Sequence, residues 1–178
     1  EFNEISSQVE FVISPSIISE EVKNNAIKIA IETAEQFNLI GLLAVEMFLT
    51  EDNQILINEV APRPHNSGHF TLDACNTSQF EQHIRAILGL ELGDVSQKGN
   101  AIMLNLVGEE NTFGKVIYPN LDNALNDNSS YVHIYGKEET RPNRKMGHIT
   151  IICDNFEDAY KKAKKFKNTI KVKSINNG

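Results

Sequence analysis

Apolar and polar residues alternate in some stretches of the chain and recur at helical spacing in others. QVEFVIS, residues 8–14, alternates as a half-buried strand does, and Pro15 ends it. Ser19-Glu-Glu-Val then opens a helix: the Ser19 hydroxyl suits the free amides, and the two glutamates suit the positive end of the dipole. Val22, Ala26, Ile29, Ala30, Thr33, Ala34 and Phe37 put one face inward, and Gly41 is placed to end the turn. LLAVEMFLT and QILINEV read as two strands joined through Glu51-Asp52-Asn53, a hairpin. Ser78-Gln-Phe-Glu81 has capping-box spacing and opens a second helix. Its stripe is Phe80, Ile84, Ile87 and Leu88, and Gly89 marks its stop. Beyond a connector at residues 93–99 come strands at AIMLNLV, YVHIYG and HITIIC. A last helix runs from a cap at Asp154 through Ala159, Tyr160, Ala163 and Phe166. The pattern predicts an α+β protein in two parts, residues 1–95 and 96–178, with no internal repeat.

Composition narrows the class. At 40% apolar and 23% charged residues the chain reads as ordinary soluble globular protein. No apolar run approaches the roughly 18 residues that span a bilayer, so no membrane role is expected. Cys75 and Cys153 lie far apart without metal-type spacing, which points to buried thiols in a reducing cytoplasm. Glu1 is not an initiator residue, so the chain is expected to be a piece of something longer.

A net charge of −7 argues against non-specific binding of nucleic acid. The charge is unevenly spread: residues 1–110 carry 5 Lys and Arg against 17 Asp and Glu, and residues 111–178 carry 12 against 7. An acidic half able to hold cations beside a basic half able to hold phosphate is one reading. Solvated surface charge is the other.

Two glutamates sharpen the choice. Glu46 sits inside LLAVEMFL, and Glu59 ends the other strand of the hairpin. A turn centred on Asp52-Asn53 sets them directly opposite each other, where like charges destabilise a sheet by a few tenths to ~1 kcal/mol. A bridging hard cation removes the conflict. Mg²⁺ takes a couple of carboxylates and completes its shell with water and phosphate oxygens, and Asn58 adds an amide oxygen next door. A shifted register, with Glu46 facing water alone, is the alternative. The loop after Glu59 reads APRPHNSGH. Pro62 and Pro64 stiffen it. Arg63 offers a planar fork to an oxyanion, and His65, Asn66 and Ser67 offer further donors. A turn that only satisfies its own backbone would also contain such residues.

The stretch EMF followed by INEVAPRPHNSGHFTLDACNTSQFEQHIRAILGL resembles the ATP-grasp ligases. Within them it is most similar to the family of phosphoribosylaminoimidazole carboxylase ATPase subunits. YGKEETRPNRKMGHITI resembles a later signature of the same family. The resemblance covers residues 40–153 well and implies the C-terminal half of an ATP-grasp domain, an antiparallel sheet with helices, followed by a small α/β C-terminal domain. It implies ATP-dependent carboxylation of aminoimidazole ribonucleotide by bicarbonate, through carboxyphosphate, in purine synthesis.

Position by position, it implies Glu46 and Glu59 as magnesium ligands, with Asn58 and Glu59 at the ATP phosphates. Arg63, His65, Asn66 and Ser67 would hold bicarbonate and the carboxylated intermediate. Lys137 and Arg144, with Arg141 and Lys145 beside them, would hold the ribonucleotide phosphate. The family's N-terminal region, with its adenine hinge and phosphate lysines, has no counterpart in the 178 residues, so the chain alone is expected to be inactive. The complete enzyme is expected to be a cytoplasmic homodimer. Another ATP-grasp carboxylate or bicarbonate ligase, and a non-catalytic nucleotide-binding module, are the competing readings.

Overall fold

The computed structural model describes residues 9–175. In chain order its elements are β1 (Phe11–Ser14), α1 (Glu20–Gln36), β2 (Ala44–Leu49), β3 (Ile55–Ala61), α2 (Thr71–Ala74) and α3 (Gln79–Ile87). They continue with β4 (Asn100–Val107), β5 (Gly114–Ile117), α4 (Asp122–Leu125), β6 (Ser130–Ile134) and β7 (Glu139–Thr140). The last are β8 (Lys145–Cys153), α5 (Phe156–Thr169) and β9 (Lys173–Ser174). The class is α+β, in two compact units. One is Ser16–Gln97; the other joins the described N-terminal residues up to Pro15 to those from Lys98 onward.

The first unit is built on the hairpin β2–β3 and its flanking helices. Ser19 caps α1 through a bond from the Val22 amide, as the sequence predicts. The helix does not run to Gly41. It ends at Gln36, with Phe37 as C-cap and Asn38 following at φ +48, and an asparagine takes the left-handed position a glycine usually fills. The expected inward face is right for Val22, which is buried, but Phe37 is 60% exposed.

Helix α3 departs further. Ser78 caps it and Gly89 follows it at φ +66, but Phe80, Ile84, Ile87 and Leu88 are exposed. Its buried position is Gln79. The side turned to the rest of the unit is the polar one, because Gln79, Gln82 and His83 bond there to loop backbone.

The second unit holds the main core. Its four-stranded sheet has the order β1-β4-β8-β6, and every pairing is antiparallel. Ile102, Leu104 and Leu106 of β4 and Ile149 and Ile151 of β8 recur at the two-residue period of a strand. They pack with Ala159, Ala163 and Phe166 of α5. β1, which the expected division counts in the N-terminal part, pairs in this sheet with β4. Phe11 pairs with Leu104, is buried in the core, and meets the Tyr160 ring edge-on at 6.3 Å. Gln8, the expected start of that strand, lies outside the described residues. The cap of α5 is Asn155 and not Asp154: its Oδ1 accepts from the amides of Glu157 and Asp158. A three-stranded sheet, β7-β5-β9, completes the unit. No described helix is long and apolar enough to cross a membrane.

Candidate functional site

The hairpin places Glu46 opposite Glu59, but by a different route from the one its turn suggested. The amide of Thr50 bonds the Gln54 carbonyl, so the turn centres on Asp52, with Asn53 at φ +61. A regular ladder from that turn would set Glu46 opposite Asn58. The register instead shifts between Glu46 and Met47, and Asn58 is the extra residue of a β-bulge. The bulge brings the second carboxylate across from the first. Glu46 and Glu59 are 29% and 59% exposed at their side chains, and nearby lies the half-buried His65.

His65 Nδ1 lies 3.4 Å from Glu46 Oε1 and Nε2 3.9 Å from Glu59 Oε1. Ser67 Oγ is 2.9 Å from the same Nδ1. One oxygen or nitrogen from each of Glu46, Glu59 and His65 falls within 4.8 Å of the others. Two carboxylates at this spacing fit a small hard cation, whose ligand oxygens sit about 2.0–2.1 Å from the metal. The imidazole therefore lies beside the two glutamates. Arg63 is exposed, and its Nη1 donates to the Pro64 carbonyl at 3.1 Å. Asn66 and Ser67 form a single 3-10 turn, Asn66–Gly68, directly after His65.

The polar face of α3 holds this loop. Gln79 Oε1 accepts from the His65 amide at 2.9 Å, and Gln79 Nε2 donates to the His65 carbonyl at 2.8 Å. Gln82 does the same for Gly93, with bonds of 2.9 and 2.8 Å. His83 Nδ1 accepts from the Leu42 amide at 3.0 Å. Sequence reasoning missed these three residues. Their signal was present: polar residues at positions 79, 82 and 83 share one helical face directly after a loop with unpaired backbone groups.

In the second unit, Lys137, Arg141, Arg144 and Lys145 gather around one tight turn. The Arg144 amide bonds the Arg141 carbonyl, and Asn143 takes φ +63. Gly108 lets the turn approach, because a Cβ there would collide with the Arg141 carbonyl oxygen. Lys137 Nζ donates to the Lys145 carbonyl at 2.7 Å and lies 5.7 Å from the Tyr135 ring centre. Arg144 Nη1 donates to the Glu139 carbonyl at 2.8 Å. Burial, then the charges of Arg144 and Arg141, push the Lys137 ammonium below its usual pKa. Among the described residues, none of Lys137, Arg141 and Arg144 forms an ion pair with a carboxylate. Three cations that repel one another and lack a carboxylate partner are the kind of cluster that an oxyanion complements.

Comparison with known proteins finds two family models along the chain. Residues 3–80 match the model of the ATP-grasp domain, and residues 101–162 match that of the phosphoribosylaminoimidazole carboxylase C-terminal domain. The chain is 49% identical over 140 residues to N5-carboxyaminoimidazole ribonucleotide synthase of Bacillus subtilis, covering 79% of this chain and 35% of that protein. The crystal structure of N5-carboxyaminoimidazole ribonucleotide synthetase from Thermotoga maritima superimposes with a TM-score of 0.89 at 48% identity. It covers 93% of this chain and 46% of that one. The synthase from Aspergillus clavatus, solved with ADP and 5-aminoimidazole ribonucleotide, gives a TM-score of 0.83 at 31% identity over 94% and 45% of the two chains. The chain thus spans between about a third and a half of the length of these relatives. With an ATP-grasp segment followed by that C-terminal domain, it belongs to the N5-carboxyaminoimidazole ribonucleotide synthase family of ATP-grasp proteins.

Proposed function

We propose that this chain supplies the cation-binding and oxyanion-binding parts of an ATP-dependent carbon–nitrogen ligase. The ligase carboxylates aminoimidazole ribonucleotide with bicarbonate in purine biosynthesis. The observation that carries the proposal is the bulge at Asn58, which sets Glu46 opposite Glu59 in an arrangement that is unfavourable without a cation. Glu46 and Glu59 would hold Mg²⁺, with Asn58 beside them at the ATP phosphates. When bound, the cation neutralises charge on the β- and γ-phosphoryl oxygens. Arg63, His65, Asn66 and Ser67 hold bicarbonate and its activated form and keep water from it. The cations Lys137, Arg141, Arg144 and Lys145 grip the ribonucleotide phosphate. In this reading residues 1–95 serve the nucleotide and 96–178 the ribonucleotide, with β1 built into the latter's sheet. The complete enzyme works in the cytoplasm as a homodimer.

The test follows ADP and carboxylated product side by side in the complete ligase that carries this chain. Glu59→Gln abolishes both while the far-ultraviolet spectrum is unchanged. Arg144→Ala and Lys137→Ala raise KM for the ribonucleotide on the order of tenfold to a hundredfold, since each loses a charge-assisted bond remote from the reacting atoms. Arg63→Ala releases ADP without product. Near-normal ADP formation in Glu59→Gln would overturn the cation assignment.

A further inference from the structure

Gln79 is buried, at 8% exposure, as the first residue of a helix whose apolar stripe faces outward. Its carboxamide makes three hydrogen bonds to the loop after β3, and both Nε2 hydrogens are used. Oε1 accepts from the His65 amide, and Nε2 donates to the His65 carbonyl and lies 2.7 Å from His69 Nδ1. Amide orientation is often ambiguous, but here chemistry fixes it. A backbone N–H must meet the oxygen, and a backbone carbonyl must meet the nitrogen. With both Nε2 hydrogens so placed, His69 Nδ1 is an acceptor, and a neutral His69 carries its proton on Nε2.

The surroundings leave the carboxamide little freedom. Gln79's own amide donates to Thr71 Oγ1 at 2.9 Å, and Thr71 Oγ1 donates to the Gly68 carbonyl at 2.6 Å. A Cβ on Gly68 would stand 2.5 Å from Gln79 Oε1. His69 stacks on Phe80 with ring centres 5.4 Å apart. Both backbone groups of His65 are therefore held by one side chain, while the His65 ring lies beside Glu46 and Glu59.

We infer that Gln79 is the positioning residue of the candidate site: its carboxamide pins the His65 backbone and fixes the His69 tautomer, so that the His65 imidazole stays at the Glu46–Glu59 pair. For its consequence in catalysis this rests on the function proposed above. Gln79 touches no reacting atom in that reading. Its loss acts through His65.

The decisive measurements are made on the 178-residue chain by NMR, with ¹⁵N-labelled histidine and amide hydrogen exchange. Gln79→Met speeds exchange of the His65 amide by about tenfold or more, the loss expected for one hydrogen bond, while the Leu42 amide held by His83 reports that α3 is intact. Gln79→Glu is sharper. It keeps an acceptor for the His65 amide but turns an acceptor toward His69, so Nδ1 of His69 shifts from pyridine-like to pyrrole-like. Gly68→Ala displaces the carboxamide and raises His65 exchange as Gln79→Met does. In the complete ligase, Gln79→Met raises the ratio of ADP to carboxylated product at least severalfold with KM for ATP unchanged, and Gln79→Glu is intermediate. Unchanged His65 exchange in Gln79→Met, or an unchanged His69 nitrogen shift in Gln79→Glu, overturns the positioning role whatever the enzyme does. Altered spectra with an unchanged product ratio overturn its part in catalysis. A wild-type ligase that makes no carboxylated product defeats the functional reading alone, and the spectra still decide the rest.

Discussion

Asp127 shows how one carboxylate can be set by its donors. It accepts from Lys162 Nζ at 2.8–2.9 Å, from the amide and hydroxyl of Ser129 and from the hydroxyl of Ser130. Burial pushes its pKa up, but these bonds together outweigh burial and hold the carboxyl at about 2, against an ordinary 3.8. A group depressed by folding stabilises the native state fully above its unfolded pKa. That contribution drains away as pH falls from 3.8 through 2. Lys162→Met removes the charged donor, so the carboxyl titrates higher and the acid-sensitive window moves up with it. The cost near neutral pH is on the order of 1 kcal/mol, because the pair is only partly buried. Urea unfolding at neutral pH and again near pH 3 measures both effects. An unchanged midpoint at neutral pH would show that Lys162 contributes nothing. The site residues differ from Asp127 in being under-satisfied: Glu46 faces Glu59, and Lys137 faces two arginines. Patterning marks Glu46 and Glu59, whose like charges at paired positions conflict with stability, whereas Lys137 and Arg144 stand out only through the family resemblance. The polar face that carries Gln79 is visible in the sequence too, but its target is not, because the backbone groups it bonds come together only in the folded loop.

At the scale of elements, turn chemistry separates what was legible from what was not. All five non-glycine residues with positive φ among the described residues are asparagines: Asn38, Asn53, Asn111, Asn120 and Asn143. Asparagine tolerates the left-handed region better than other residues with a Cβ, so Asn38 ends α1 in place of the expected Gly41. Asn38 explains why α1 stops at Gln36, and Asn53 closes a hairpin turn centred on Asp52, half a position from the expected Asp52-Asn53 centre. The Glu46–Glu59 pairing survives because two departures cancel, a shifted turn and a bulge at Asn58. Caps with local signals were read correctly at Ser19 and Ser78, and missed by one residue at Asn155. A direct test is at Asn38. Asn38→Gly leaves stability within about 0.5 kcal/mol, since relief of the left-handed conformation offsets the added freedom of the unfolded chain. Asn38→Val costs about 1–2 kcal/mol. Equal midpoints for the two variants in urea would mean that the helix end frays and φ at Asn38 carries no cost.

Over the whole molecule, buried apolar surface is distributed unequally, and stability should follow it. The core of the second unit takes side chains from β1, β4, β8 and α5, including Phe11, Ile102, Ile149, Ile151 and Phe166, all nearly inaccessible. In the first unit the buried apolar residues are Val22, Ala61, Ala74 and Cys75, whereas Ile31, Phe48, Ile57, Ile84 and Leu88 are each 48–65% exposed. Helical periodicity in α1 and α3 correctly announced apolar faces, but periodicity says only that a face is to be covered, not by what. The Bacillus subtilis and Thermotoga maritima relatives are about twice as long as this chain, and Ile84, Ile87 and Leu88 of the α3 stripe stay exposed. At ~25 cal/mol per Å² of buried apolar surface, the first unit gains far less from folding than the second. Segments with few buried contacts open at lower free energy than the global unfolding reaction. Hydrogen exchange on the 178-residue chain should therefore be strongly biphasic. Amides of β4 and β8 exchange slowest, whereas those of α1, β2, β3 and α3 exchange at least a hundredfold faster, corresponding to a gap of about 3 kcal/mol or more. Urea should likewise melt the first unit before the second, giving non-coincident transitions by probes placed in each. Equal protection of β3 and β8 would show that the hydrogen-bonded polar face of α3 stabilises its unit as well as an apolar core does.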